Sequence, residues 1–463
     1  MAGRRVAADA ADLGLGDHLT IHAAYGYLLQ GELTLEQVQL LARELLSDPI
    51  VERTTVARVA DPALAQPPPD AAAGACPVHV LPKPGVMDPV ATSAQQAIAD
   101  FHLQADEVRT FRKYWIEGLG ESQVQALCSK VLANDSIEQF VVGPLYLDQL
   151  HVGAPYQFRL ITVPIRELDG PALETLSRSR QLYLTRIEMQ TIQEYFRQLG
   201  RDPTDVELES VAQTWSEHCS HKTLAGRIAY RDPNGQRRFE NMLKETIFAA
   251  TQQIRGDLGA DDWCVSVFKD NAGVVRFDDQ YNVVFKVETH NHPSAVEPFG
   301  GAATGVGGVI RDILGVWADP IACTDVLGFG PLDYDYNKLP VGVKHPKYVY
   351  MGVTAGISAY GNNMGIPTVN GAIYFDDSYT GNVTVYCGCI GLLPLNKYIK
   401  EGKVGDYVVL SGGKTGRDGI HGVTFASAEL TEKSEEISRP AVQIADPIEE
   451  EKVKRAVVEI RDL

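Results

Sequence analysis

Residues 281–315 read YNVVFKVETHNHPSAVEPFGGAATGVGGVIRDILG, and the fold turns on how they are parsed. The stretch opens as a strand, with Val283, Phe285 and Val287 alternating against Asn282, Lys286 and Glu288. A side-chain period of two puts Lys286 and Glu288 on one face, roughly 7 Å apart. The extended run continues through Thr289, His290, Asn291 and His292, where Pro293 is expected to hold His292 away from helical geometry. Beyond Gly300, Gly301, Gly305, Gly307 and Gly308, the spacing of Val306, Val309, Ile310, Ile313 and Leu314 predicts a helix. Arg311 and Asp312 lie on its other sides. A cation, two imidazoles, two carboxylates and a small-residue helix start, this close together, suit a site that handles phosphate and a hard divalent ion.

At 463 residues the chain is too long for one core, and about three domains are expected. Hydrophobic content of 44% and charged content of 22% place it among soluble globular proteins. A net charge of −18 argues against unspecific binding to nucleic acid or to an acidic membrane, both of which would repel it. Small anions held by a local cluster of Lys, Arg and N–H groups are not excluded. No apolar run approaches the roughly 20 residues that span a bilayer. The first residues, MAGRRVAADAADLG, carry two arginines without the hydrophobic stretch of a secretory signal. Seven cysteines, odd in number and irregular in spacing, suit a reducing cytosol. The expectation is a soluble, multidomain, cytoplasmic protein.

Residues 17–150 read as two related halves. LSDPIVE at 46–52 recurs as LANDSIE at 132–138, an offset of 86. Each copy ends an amphipathic helix, turns on Asp, Asn or Pro, and enters a β-branched strand, at Thr54-Thr55-Val56 and at Val141-Val142. The alternative is a chance match of two helix-to-strand junctions. VHVLPKPGVMDPVA at 78–91 predicts a strand and a turn ahead of a helix over 90–102. Between the halves, the Pro/Ala-rich run 61–76 reads as an exposed linker. A small α/β pseudo-dimer is expected.

Residues 172–225 read as mainly helical. Asp202-Pro203 supplies a first-turn proline, and Thr204 with Glu207 fits a capping box. Leu208, Val211, Ala212, Trp215 and Cys219 continue one helical stripe, so His218 borders a buried face and His221 follows a turn later. Over 226–398 strands are expected to dominate, among them DWCVSVF, NVVFKV, KYVYMGV and NVTVYCGCI. A new unit starts after Gly402 with a strand DYVVL, and the chain stops at Leu463 inside a helical pattern. So short a stretch is small for an independent domain, and a longer parent chain is expected.

The pairs His218/His221 and His290/His292 stand at i,i+3 and i,i+2, spacings that can converge on zinc. The hard oxygens of Glu288 and Asp312 suit Mg²⁺ better. A third reading makes these histidines satisfied core or capping residues. SGGKT at 411–415 imitates a phosphate-binding P-loop, but the position five before Gly413 is Val408 and not glycine, which rejects that reading. A glycine turn closing near a ligand remains, with Arg417, Asp418 and His421 at its rim. Cys387 and Cys389 alternate on a strand and are expected in the core. Cys219 beside two histidines is either a nucleophile or a buried structural thiol, and its place on the apolar stripe favours the second. The run Glu449-Glu450-Glu451 reads as a solvated face.

Five stretches carry a resemblance: TWSEHCSHKTL (214–224), FKVETHNHPSAVEPFGGAATGVGGVIRDILG (285–315), GIPTVNGAIYFDDSY (365–379), SGGKTGRDGIHGVTFASAEL (411–430) and SRPAVQIADP (438–447). In that order they resemble the synthetase of phosphoribosylformylglycinamidine synthase, a purine-pathway amidotransferase of the aminoimidazole ribonucleotide synthetase superfamily. KPGVMDP and VLANDSIEQFVV resemble that enzyme's small companion subunit. The resemblance implies an α/β (α+β) chain. Its parts are a small-subunit-like pseudo-dimer over 1–165, a helical linker domain over 166–225, a synthetase-like N-terminal domain over 226–398, and the truncated start of its C-terminal domain over 399–463.

The chemistry implied is ATP-dependent conversion of formylglycinamide ribonucleotide and glutamine-derived ammonia to the amidine, through an iminophosphate. By the same likeness His218 and His290 are catalytic acid/base groups, and imidazole titrates in the range such work needs. His221, where the family usually has tyrosine, and Lys286 contact ATP. Glu288 and Asp312 hold Mg²⁺. Thr289, His290, Asn291, His292, Arg311 and Gln443 bind the substrate, Arg311 being apt for its phosphate.

Two departures bear on activity. The family's synthetase has two similar halves, and only the first, with the start of its C-terminal unit, stands here. A further metal-ligand carboxylate would lie past Leu463, so this length alone is expected to lack synthetase activity. The G-x-Cys-x-G elbow of a glutaminase is absent from these residues, so ammonia is expected from a glutaminase domain or subunit. The readings from other classes are a noncatalytic nucleotide-binding scaffold for a glutaminase partner, and a zinc-dependent hydrolase.

Overall fold

Antiparallel pairing of two eleven-residue strands organises the N-terminal unit: β1 (Thr20–Gln30) lies against β3 (Glu107–Glu117). This computed structural model describes the chain except residues 1, 13, 17–18, 73, 84–85, 134–136, 148–149, 151–157, 399, 414–417, 427–428, 432–433, 435–437 and 439–440. Asn134, Asp135 and Ser136 of the second repeat junction, Pro84 and Gly85, and Lys414, Thr415 and Arg417 of the glycine turn thus lie outside the described residues. The chain divides into a unit spanning 1–157 and a larger one spanning 158–413 and 419–463.

In the first unit α1 (Ala2–Asp12) leads into β1, then α2 (Leu35–Leu41) and a π-turn at Ala42–Leu46. After the short α3 (Pro62–Ala65) come β2 (Cys76–Pro82), α4 (Pro89–Asp100), β3, α5 (Glu121–Leu127), a second π-turn at Cys128–Leu132, and β4 (Glu138–Val142). The sheet order is β1-β3-β2-β4. The repeat is real at the level of elements. The long strands begin at 20 and 107, the helices at 35 and 121, and the π-turns at 42 and 128, spacings of 87, 86 and 86. Tyr25 faces Arg112, its own counterpart 87 residues on, so an internal two-fold passes through that pair. The repeat breaks at one place. Val141-Val142 ends β4, but Thr54-Thr55-Val56 is unpaired and not a strand. β4 hydrogen-bonds to β2, whereas Thr54-Thr55-Val56 pairs with no described strand.

The second unit begins with α6 (Gly170–Ser179), α7 (Arg186–Gln198), α8 (Asp205–Thr214) and α9 (Glu217–Ser220). The capping box at α8 forms: Glu207 N–H donates to Thr204 Oγ1 at 3.1 Å, and Thr204 N–H to Glu207 Oε2 at 2.8 Å. Pro203 precedes the cap and is outside the first turn. The expected single stripe through Trp215 and Cys219 does not hold. Ser216 accepts from Cys219 N–H and starts a fresh turn, which leaves Trp215, His218 and Cys219 exposed. The Cys219 thiol is accordingly not a buried one.

A hairpin of β5 (Ile228–Asp232) and β6 (Gly235–Phe239) and helix α10 (Ala249–Leu258) follow. Then come β7 (Cys264–Ser266), β8 (Gly273–Arg276), β9 (Tyr281–Thr289), α11 (Asn291–Val296), α12 (Pro298–Gly315) and β10 (Asp319–Phe329). The last elements are α13 (Pro346–Met364), β11 (Thr368–Phe375), β12 (Thr384–Pro394), α14 (Gly422–Phe425) and α15 (Pro447–Asp462). Six strands form one sheet in the order β11-β10-β12-β9-β8-β7. Helices α12 and α13 cover one face, and their apolar sides make the main core with Val284, Cys323, Leu327, Val385, Cys387 and Cys389. The other face leaves Phe285, Val287, Ile321, Ile373 and Tyr386 exposed.

Three local expectations fail here. His292 is helical: Pro293 stands in the first turn of α11, where its missing N–H costs nothing. KYVYMGV is the start of α13 and not a strand, because Val349, Val353, Ile357 and Tyr360 bury at helical spacing behind the His345 cap and Pro346. DYVVL forms no strand, and Tyr407 to Leu410 stay exposed.

Small residues let α12 and α13 touch backbone to backbone. A Cβ on Gly352 would stand 2.6 Å from that of Pro298, and one on Gly356 would overlap the carbonyl of Phe299. Gly308 of α12 faces open space. Gly356→Ala should therefore destabilise the larger unit by about 1–3 kcal/mol through overpacking. Gly308→Ala should stabilise it by about 0.5–1 kcal/mol through helix propensity. Chemical denaturation of both variants checks the contrast.

Candidate functional site

Lys286 of β9 points, as the strand period requires, to the face that α12 covers. Its ammonium lies 2.9 Å from Asp312 Oδ2 of α12 and 3.4 Å from Glu288 Oε2. Burial pulls the ammonium down, but the hydrogen bonds and charges of Asp312 and Glu288 outweigh it and hold Lys286 above its ordinary range. All three side chains keep partial access to solvent. Two carboxylates around one cation are a donor set that fits Mg²⁺, which is commonly held by one or two carboxylates with phosphate oxygens and water. Among the described residues no cluster of three or more His, Cys, Asp or Glu side chains forms a metal cage.

His290 caps α11 at the end of the same strand, and its N–H continues the ladder to the carbonyl of Val385 at 2.7 Å. Its ring Nδ1 is hydrogen-bonded to the carbonyl of Gly301, which assigns the proton to Nδ1 and leaves Nε2 as an acceptor. Burial holds the imidazole below its ordinary value, the Gly301 carbonyl and Glu288 oppose this, and His218 reinforces it. His218, on the exposed turn α9, is therefore within electrostatic reach of His290. Glycine in α12 lets the helix close on His290. A Cβ on Gly305 would stand 2.9 Å from His290 Cβ and 2.9 Å from Cys387 Sγ.

The other sequence-predicted residues are placed as follows. Thr289 is exposed at the end of β9. Asn291 Oδ1 accepts from Val385 N–H at 2.7 Å, so part of its amide serves the sheet. The His292 ring meets Phe425 edge-on at 6.0 Å. Gln443 packs under Gly419, while its carbonyl lies beside Gly300 at the start of α12. His221 is exposed, with left-handed backbone closing α9. Arg311 is largely exposed, with Nε 3.5 Å from Glu450 Oε1.

Glu450 overturns the reading of its acidic run as a solvated face: it is 4% exposed. The hydroxyl of Tyr360 on α13 donates to Glu450 Oε2. Burial pushes the Glu450 carboxyl up, against the pull of Tyr360 and Arg311. One carboxylate of α15 is thus tied to both α13 and α12. Sequence reasoning also missed Asp325. It lies on β10 opposite Cys387, which in turn is opposite Glu288, in one row beneath α12. Burial raises its carboxyl to about 6, against hydrogen bonds from Gly388, Thr368 and Cys387.

Three family models match this chain. The Phosphoribosylformylglycinamidine (FGAM) synthase model covers residues 75–143, the Formylglycinamide ribonucleotide amidotransferase linker domain 173–222, and the AIR synthase related protein N-terminal domain 269–393. Phosphoribosylformylglycinamidine synthase subunit PurL of Thermoplasma acidophilum is 42% identical over 303 residues, which are 65% of this chain and 36% of that protein. The same subunit of Carboxydothermus hydrogenoformans is 42% identical over 287 residues, 61% of this chain and 34% of that protein. The solved structure of Thermotoga maritima PurL complexed with FGAR is 32% identical, with a TM-score of 0.41, over 58% of this chain and 36% of that one. The chain spans about a third of the length of the curated relatives it matches. In chain order, a stretch similar to the amidotransferase linker precedes one similar to the AIR synthase related N-terminal domain. More particularly, 65% of the chain is similar to PurL, and the stretch ahead of that linker is similar to the FGAM synthase model.

Asp325 yields a pH test. Its carboxyl is raised in the fold, so the stability it contributes is fully present below about pH 3.9 and is lost as pH rises through about 6. Asp325→Asn should stabilise the larger unit at pH 7 by up to about 3 kcal/mol, and the gain should vanish near pH 4. Denaturant titrations at the two pH values measure the difference.

Proposed function

We propose that the larger unit carries a half-site of phosphoribosylformylglycinamidine synthesis. The amide oxygen of formylglycinamide ribonucleotide attacks the terminal phosphorus of ATP, and ADP leaves. Ammonia then adds to the iminophosphate carbon and gives up a proton, and phosphate departs with the C–O bonding electrons to leave the amidine. The observation that carries this reading is the Lys286 ammonium between Glu288 and Asp312, next to a buried imidazole with a free Nε2.

Each residue has a role in the proposal. Lys286 and His221 contact the phosphates and body of ATP. Glu288 and Asp312 hold Mg²⁺, which when bound spreads the charge of the transferring phosphoryl group. His290 Nε2 accepts the proton lost by ammonia, a base kept neutral by burial. His218 acts with it as the second acid/base group. Thr289, Asn291, His292, Arg311 and Gln443 line the substrate, with Arg311 directed to its phosphate in exchange for Glu450.

The proposed domains are 1–165, 166–225, 226–398 and 399–463, and the three matched stretches each fall inside one of them. A glutaminase domain or subunit is the proposed source of ammonia. A cytosolic setting is supported by seven free cysteines, and no described helix is long and apolar enough to cross a membrane.

Calorimetric titration of the chain with Mg-ATP tests the assignment. Lys286→Met and Glu288→Gln should each weaken binding by about tenfold or more, as for loss of a charge-assisted contact. Unchanged affinity in both would remove the phosphate site from this face. In the complete synthetase, His218→Ala should keep ATP binding while amidine formation falls about 10²–10⁴-fold. A rate equal to that of the parent would reduce His218 to a packing residue.

A further inference from the structure

The first unit buries a cation that the proposed chemistry does not use. Lys113 of β3 is 6% exposed, and among the described residues no carboxylate pairs with it. Its ammonium donates to the carbonyl of Leu64 in the Pro/Ala-rich segment and lies 4.5 Å over the ring of Trp115. Leaving one ammonium inside a sheet face without a counter-charge is costly, and burial alone pulls Lys113 below its ordinary range.

Its neighbours are polar and unpartnered. The register sets Trp115 opposite His22 of β1, and Lys113 opposite His79 of β2. Residues directly opposite in antiparallel strands, or two apart in one strand, share a face. All four side chains therefore form one patch, on the face away from the core of Val78, Val80, Tyr114 and Ile116. Trp115 Nε1, His22 Nε2 and His79 Nδ1 are all buried without a hydrogen-bond partner. An orphaned buried polar atom costs about as much as a lost hydrogen bond, and three beside one uncompensated cation exceed what packing alone explains.

The donor and acceptor pattern narrows the ligand. Indole N–H and ammonium only donate, so they call for oxygen. His79 differs. Burial holds its imidazole well below the ordinary range, so the ring is neutral, and a neutral ring offers one accepting nitrogen; Nδ1 is the buried one without a partner. A ligand that fits both demands is an oxyanion carrying its own hydrogen. Hydrogen phosphate has one near neutral pH; sulfate and carboxylates do not.

We propose that His22, His79, Lys113 and Trp115 form a binding site for a phosphate group, free or as a monoester, under the segment 61–72. The Leu64 carbonyl stands where one phosphate oxygen binds. The segment is held here by few ties, one of them Ala72 N–H to Glu117 Oε1 at 2.7 Å, and otherwise lies largely exposed. The ligand displaces the carbonyl, and His79 accepts the phosphate hydrogen.

Calorimetric titration of the whole chain with inorganic phosphate, glycerol 3-phosphate and sulfate tests this. Because Lys286 is proposed to meet phosphate in the other unit, each titration is repeated in Lys286→Met. The expected result is a phosphate-binding event that survives Lys286→Met, is lost in Lys113→Met, and is about tenfold tighter than sulfate binding. His79→Phe should erase the preference over sulfate, which a structural role for His79 would not do; this variant serves also if Lys113→Met fails to fold. Tighter binding of glycerol 3-phosphate than of inorganic phosphate identifies a monoester ligand, and the reverse identifies the free ion. Equal affinity for phosphate and sulfate, no event surviving Lys286→Met, or an event untouched by Lys113→Met overturns the proposal.

Discussion

The nearness of α12 to strand β9 is the constraint on which the site in the larger unit depends. Gly301 lets α12 pass Pro293 and Ser294 of α11, so that its carbonyl reaches the ring of His290, and Gly305 lets the helix lie against His290 and Cys387. Two turns further along, the same closeness delivers Asp312 to the Lys286 ammonium. A bulkier residue at either glycine would lift the helix and part both contacts together. Position and protonation are therefore set by one packing decision: the His290 imidazole is held toward its neutral form because it is buried, and it is buried because the helix is near.

Charge is handled in layers beneath that helix. Glu288, Cys387 and Asp325 stand in one row across β9, β12 and β10, with Lys286, Cys389 and Cys323 in the next. Thiols fill the middle of both rows as small apolar groups, and burial pushes the Cys387 thiol well up. The cation serves the outer carboxylate, and the deepest one, Asp325, is left without a cation, its carboxyl raised to about 6 by burial. Fold stability is traded there for a buried polar group, as is common near functional sites.

Much of this was legible in the sequence, and the reasons are specific. Lys286 and Glu288 share a face because a strand permits nothing else, and His290 sits at the turn because the strand ends there. Thr204 and Glu207 announce a helix start through a purely local hydrogen-bond pair. Where long-range partners decide, reading failed. KYVYMGV is rich in residues that favour strands, yet burial against α12 makes it helical. Glu450 looks like its acidic neighbours until Tyr360, ninety residues away, is brought to it. The stripe through Trp215 broke for a smaller reason, a serine hydroxyl that competes for the backbone.

Covalent duplication in the first unit has a consequence for stoichiometry. Identical subunits around a two-fold must use every side chain twice, once per copy. Here the two copies share one chain and have drifted apart: Gly26 and Leu28 occupy, 87 residues earlier, the places of Lys113 and Trp115. Gly26 leaves room for the ring of Phe111, which any larger residue would displace. A symmetric scaffold thus presents a one-sided surface, with a single cation where a true homodimer would bury a mutually repelling pair.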